Sequence, residues 1–242
     1  MKNWALMCIA FVLMLVVNVL GATGNINGQS QADISDKLNV LFTPDGYVFS
    51  IWAVIYALLA IWLFVQFTRK DTTQETPYNI VTLFVATCLF NIAWLLTWHY
   101  EWFAVAQLMM FVLLITLLIL YMKYPKGDKS FGGRLPFSFY TGWISVATIA
   151  NMAYTLKHYD VSLGINEVAG TIGLIIIALL LAVATLYMRK DPFFSLVFVW
   201  AIFGIGTSNS DNALVWTAYI TAAIILLVTI FWFVKNNRKN SF

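Results

Sequence analysis

Apolar side chains run almost uninterrupted for about twenty residues at a time, the length a helix needs to cross a hydrocarbon core, and charged side chains collect in the gaps. Eight such runs can be marked, with cores at residues 4–20, 47–68, 79–98, 102–122, 136–156, 168–188, 192–206 and 212–234. The seventh is the shortest. Within a bilayer every backbone amide must pair inside its own segment or in a closed barrel, and runs of this length suit helices rather than barrel strands of about ten residues. The pattern predicts an all-α fold: a polytopic membrane helix bundle of about eight transmembrane helices, with the lipid bilayer as its surroundings. For the first run, a cleaved leader ending near Leu20-Gly21-Ala22 is the alternative, but the run is long for a leader and favours a retained helix.

The gaps differ in kind. Residues 21–46 form the one long connection, rich in Gly, Asn, Asp and Ser and ending in the turn-forming Thr43-Pro44-Asp45-Gly46, a loop suited to cover a site as a lid. His99-Tyr100-Glu101 is so short that the third and fourth helices must be antiparallel neighbours. Asp191-Pro192 reads as a helix start, with a capping carboxylate and then proline in the first turn.

Composition sharpens this reading, since 61% of the 242 residues are apolar and 10% charged, against roughly 45–50% and about 25% in soluble domains. Orientation follows from Lys and Arg. Assigning gaps alternately to the two sides puts twelve of them with the termini and only two, Lys37 and Lys157, opposite. Both termini are thereby predicted to be cytoplasmic and the long loop external, with a bacterial cytoplasmic membrane as the expected setting. The net charge of +3 is then a topology signal and carries no argument for nucleic acid. Cys8 and Cys88 both lie within apolar runs, which marks them as packing residues and leaves no disulfide framework or metal-ligand spacing.

Polar and aromatic residues at membrane depth concentrate in the second, third and fifth helices. Phe49, Trp52 and Tyr56 fall at steps of three and four and share a face, as do Asn91, Trp94 and Trp98. In the fifth helix Trp143, Ala147 and Asn151 recur at steps of four, with Thr148 beside them. Trp102 and other tryptophans near helix ends suit the headgroup belt. Trp143 and Trp200 lie deep enough in their runs that each indole N–H needs a partner within the protein. The asparagines suit either of two roles: hydrogen bonds between helices, or the orienting polar groups of a largely apolar pocket for a flat aromatic ligand.

These residues resemble a known family. Trp143-Ile144-Ser145-Val146-Ala147-Thr148-Ile149-Ala150-Asn151 is similar to the fifth-helix W-x-x-x-A-T-x-x-N of the tryptophan-rich sensory protein (TspO, or translocator protein) family. Asn91 and Trp94, followed by Trp98, resemble its third-helix pattern, and Trp52 and Tyr56 its second. The resemblance covers residues 4–156 and implies a five-helix bundle with three helices appended over 157–242. It implies a cavity near the loop after helix one, lined or supported by Trp52, Tyr56, Asn91, Trp94, Trp143, Ala147 and Asn151, with Trp102 as a further wall residue. The ligands it implies are protoporphyrin IX, haem and, in animal members, cholesterol. Departures from the pattern include Ser50 in place of a proline and a first loop that keeps a single proline, Pro44.

Two classes of function compete. The first is a receptor or sensor that binds porphyrin-type tetrapyrroles or other apolar molecules, with or without transporting them. The second is a secondary transporter, which the lack of an acidic residue or histidine inside any run disfavours, since proton-coupled carriers place such groups there. Catalysis is disfavoured because no acid–base pair, metal cluster or activated nucleophile is visible, although the resemblance implies porphyrin photodegradation in some members. No cofactor is expected beyond a porphyrin or haem as ligand, and a homodimer is left open.

Overall fold

The computed structural model describes residues 2–68, 76–161 and 164–239. Among these, eight long helices occupy the eight predicted runs: α1 (Lys2–Ala22), α3 (Ile51–Thr68), α4 (Tyr78–His99), α5 (Phe103–Met122), α6 (Leu135–His158), α7 (Glu167–Arg189), α8 (Pro192–Ser208) and α9 (Asn212–Lys239). The long connection holds a short helix, α2 (Gln31–Asp36), and a 3-10 turn (Gly46–Ser50) that leads into α3. A capping box starts α2: the Ser30 hydroxyl accepts from the Asp33 N–H, and the Asp33 carboxylate accepts from the Ser30 N–H. Asp191 caps α8 as predicted, its side chain accepting from the Phe193 and Phe194 N–H groups.

Six of the helices are long and apolar enough to cross a membrane, and α8 is a shorter apolar helix. The protein is an integral membrane protein. α6 has the length, at 24 residues, but carries Ser138, Thr141, Ser145, Thr148 and Asn151, all of them buried. It tolerates these groups because protein surrounds it, and three of the hydroxyls have acceptors: Ser138 donates to the Asp191 carboxylate, Ser145 to the Thr141 carbonyl and Thr148 to that of Ile144.

Five helices form a ring in the order α1, α3, α6, α5, α4, each packed on the next and α4 closing on α1. Their directions alternate as predicted. At one end the Trp4 indole donates to the Leu63 carbonyl across 3.0 Å, and at the other the His99 ring faces the Gly21 carbonyl at 3.3 Å. The last three helices pack on one another and join the ring through α8, which lies on α6. Gly142 permits that contact, since a Cβ there would sit 3.2 Å from Val197 and 3.3 Å from the Phe194 carbonyl.

The end carrying the termini is fastened by buried charge. Arg134 and Asp191 are fully buried, with Arg134 Nε 3.4 Å from the carboxylate. The guanidinium donates to the Pro125, Arg189 and Lys190 carbonyls, while Tyr121 and Ser138 donate to Asp191 at 2.7 and 2.6 Å. Two of the basic residues counted for orientation thus serve structure, because Arg189 also donates to the Tyr124 carbonyl. Arg69 and Lys70, from the same count, lie outside the described residues.

Candidate functional site

The ring encloses a cavity beneath the lid, lined by Phe49, Trp52, Trp94, Trp98, Trp143, Val146, Ala147, Ala150, Asn151 and Tyr154, with Met110 from α5. Its aromatic wall is ordered. Tyr56, Trp52, Trp94 and Trp98 form a row of nearly parallel rings, with successive interplanar angles of 20°, 27° and 28° and centroids 5.5 to 6.4 Å apart. Trp143 stands edge-on to this row, at 83° to Trp52, and also meets Phe49 at 82°. Such offset stacks and edge-to-face pairs are the favoured arrangements of aromatic quadrupoles.

Polar atoms on the wall are placed by α6. Asn151 accepts from the Trp94 indole at 3.2 Å and donates to the Gln107 side chain at 2.6 Å, so one amide fixes side chains from α4 and α5. Trp143 is 2% exposed, yet its N–H has no hydrogen-bond partner. A buried donor left unpaired costs about 1–3 kcal/mol, a cost shared by the Asn91 and Gln107 amide nitrogens nearby.

The lid closes the top. Gln31, Ser35, Thr43 and Pro44 complete the cavity wall, and Ile34 of α2 is fully buried while its carbonyl accepts from the Tyr154 hydroxyl at 2.8 Å. Lys37 pairs with Glu101 in the α4–α5 turn, and Gln29 donates to the same carboxylate. On the other flank the Asp45 N–H donates to the Gly204 carbonyl at 3.1 Å, and Ser208 to that of Thr43 at 2.7 Å. Gly204 is required there, because a Cβ would fall 2.2 Å from Val48 and 3.3 Å from Pro44.

A family profile described as TSPO-like protein matches residues 4–232. The chain belongs to the TSPO-like family. The match runs past residue 156, where the motif resemblance ended, so α7, α8 and most of α9 lie within the TSPO-like region. No curated protein and no solved structure matches the chain.

Seven of the eleven residues singled out in the sequence line this cavity, and four do not. Tyr56 stands behind Trp52 as the far end of the stacked row. Asn91 is fully buried and serves as interhelical glue, accepting from Asn18 of α1 at 2.7 Å. Thr148 turns its hydroxyl to the Ile144 carbonyl. Trp102 is corrected outright: it is 62% exposed and lies against Tyr100 beyond the helix end, as a belt residue would. Trp200, the other deep tryptophan, donates to the Val48 carbonyl at 3.1 Å and so fastens the lid's end to α8. Sequence reasoning missed Gln107 and Tyr154. The first was visible as the single amide in the 102–122 run, and the second lies three residues after Asn151, on its face.

Proposed function

We propose that this TSPO-like protein is a membrane receptor or sensor that binds a flat, apolar ligand of the tetrapyrrole type in the aromatic cavity. The carrying observation is the row of parallel indoles facing an edge-on tryptophan whose N–H is unpaired. Parallel rings offer faces to a planar macrocycle, and the free donor offers a hydrogen bond to a ring nitrogen or a carboxyl oxygen. The cavity measures 60 Å³, against roughly 300–1,000 Å³ for small-molecule sites. A macrocycle therefore enters only as the lid is displaced, and binding and lid movement are coupled.

The test is porphyrin titration of the purified protein, followed by tryptophan quenching. Ala147 lines the cavity one turn from both Trp143 and Asn151, and overpacking costs about 1–3 kcal/mol, roughly one to two decades in affinity. Ala147→Leu is expected to weaken binding about tenfold or more, while Ala184→Leu on the exposed face of α7 leaves it unchanged. Parent-like binding by Ala147→Leu at one saturable site would remove the ligand from this cavity.

A further inference from the structure

A groove of 520 Å³ runs between α6 and α7, within the roughly 300–1,000 Å³ of small-molecule sites. Its walls are two helix faces with side chains three or four residues apart: Ile149, Met152 and Leu156 on α6, and Gly170, Gly173 and Ile177 on α7. The long connection adds only Val40, Leu41 and Phe42, of which Val40 and Phe42 are buried. The groove and the aromatic cavity have no described lining residue in common, because they lie against different faces of α6.

The glycines of this groove differ from those that serve packing. A Cβ at Gly142 or Gly204 would press on a valine, whereas one at Gly173 would meet nothing within 4 Å and one at Gly170 only Ile165 Cγ2, at 3.9 Å. Glycine is the poorest helix former after proline, and contact with other helices does not explain its presence twice, three residues apart, in α7. The groove also has the dimensions of one bilayer leaflet. Glu167 to Ile177 spans roughly 15 Å of helix, and half of a hydrocarbon core about 30 Å thick is about 15 Å. Its polar groups lie near the lid end, as Lys157, Asn166, Glu167 and Thr171, and the remainder is apolar. Met152 and Ile177 are exposed along its side, on the stretch where α7 is apolar enough to cross the membrane, so hydrocarbon meets the groove there in place of water. At the mouth Lys157 and Glu167 form an accessible ion pair at 2.6 Å, their side chains 33% and 53% exposed.

We propose that this groove seats one zwitterionic phospholipid with an ethanolamine headgroup. One acyl chain lies between α6 and α7 over the two glycines, the headgroup phosphate meets Lys157, and its ammonium meets Glu167. A zwitterion matches the exposed pair in both signs, whereas an anionic headgroup sets its phosphate near Glu167 with no cation to offset the repulsion. The seat does not depend on what the aromatic cavity binds.

Two measurements decide it. In the first, the full chain is released from nanodiscs holding equal amounts of phosphatidylethanolamine, phosphatidylglycerol and a sterol, and retained lipids are counted by native mass spectrometry. One phosphatidylethanolamine per chain is expected, favoured about threefold over phosphatidylglycerol, the scale of an exposed ion pair. Gly173→Phe directs a ring into the groove from a position where a Cβ meets no protein atom, so circular dichroism should be unchanged while retention falls about tenfold or more. Leu180→Phe, at an exposed position of the same helix, should retain lipid like the parent. Lys157→Gln/Glu167→Gln should keep a retained phospholipid but lose the headgroup preference. Equal retention by Gly173→Phe, or no retained lipid in the parent, would overturn the seat; preferential retention of the sterol or of phosphatidylglycerol would overturn its occupant. The second measurement needs no variant: phosphatidylethanolamine carrying a diazirine in its acyl chain is photolysed with the parent protein, and the adducts are mapped. They should concentrate in residues 149–157 and 167–177, and an even spread over α1 and α9 as well would overturn the proposal.

Discussion

Trp143 and Asn151 stand two turns apart on α6 and differ in what their polar atoms do. Asn151 uses both ends of its amide, on Trp94 and Gln107, whereas the Trp143 N–H has no partner. Their substitutions should therefore separate structure from binding. Asn151→Leu strips partners from two buried groups and is expected to destabilise the fold by about 1–3 kcal/mol. Trp143→Phe loses ring volume beside an existing cavity but also removes an unpaired donor, so its stability should stay within about 1 kcal/mol of the parent. Its affinity for an acceptor-bearing porphyrin should nonetheless fall several-fold. Thermal unfolding in detergent, paired with quenching titrations, checks both, and equal destabilisation by the two changes would sink the distinction.

At the scale of elements, the lid is held by buried apolar anchors, Ile34, Val40 and Phe42, and by polar contacts at its rim that water can replace. Hydrogen bonds from Lys37 and then Gln29 hold the Glu101 carboxyl below its ordinary value, against a smaller opposing effect of burial. The Asp33 carboxyl that caps α2 is lowered too, first by the Ser30 N–H and then by the Ser30 hydroxyl. Both are acids with depressed values in the folded state. Their contribution is present above the ordinary carboxylate range of about 4 and is lost as pH falls through the depressed values. The lid should stay docked from neutral pH down to about 4 and loosen only below that. Reaction of Ala150→Cys, on the cavity wall, with an aromatic disulfide that remains reactive in acid should be slow and flat down to that point and then accelerate. Acceleration between pH 7 and 5 would place control of the lid elsewhere.

For the whole molecule, the uneven distribution of lysine and arginine makes a topology test. A cysteine at Asn39 in the lid is expected to react with an impermeant reagent applied outside intact cells, and one at Gly127 to react only after lysis. The reverse pattern would invert the bundle. Helix number, direction and approximate ends were legible in the sequence because the bilayer imposes them locally: about 20 apolar residues per span, charges at the gaps, a carboxylate before Pro192. One-turn spacing also placed Trp52, Trp94, Trp143, Ala147 and Asn151 on the faces of their helices that meet around one cavity. Spacing does not say which neighbour a face meets. That Asn91 turns to Asn18, Asn151 to Gln107 and Trp200 to Val48 depends on how helices far apart in sequence are set side by side. The same holds for α6, whose polar residues are tolerable only because α3, α5 and α8 surround it. Hydrophobicity is a property of a segment and can be read from it, whereas a polar group's partner, and whether it has one, is decided by packing.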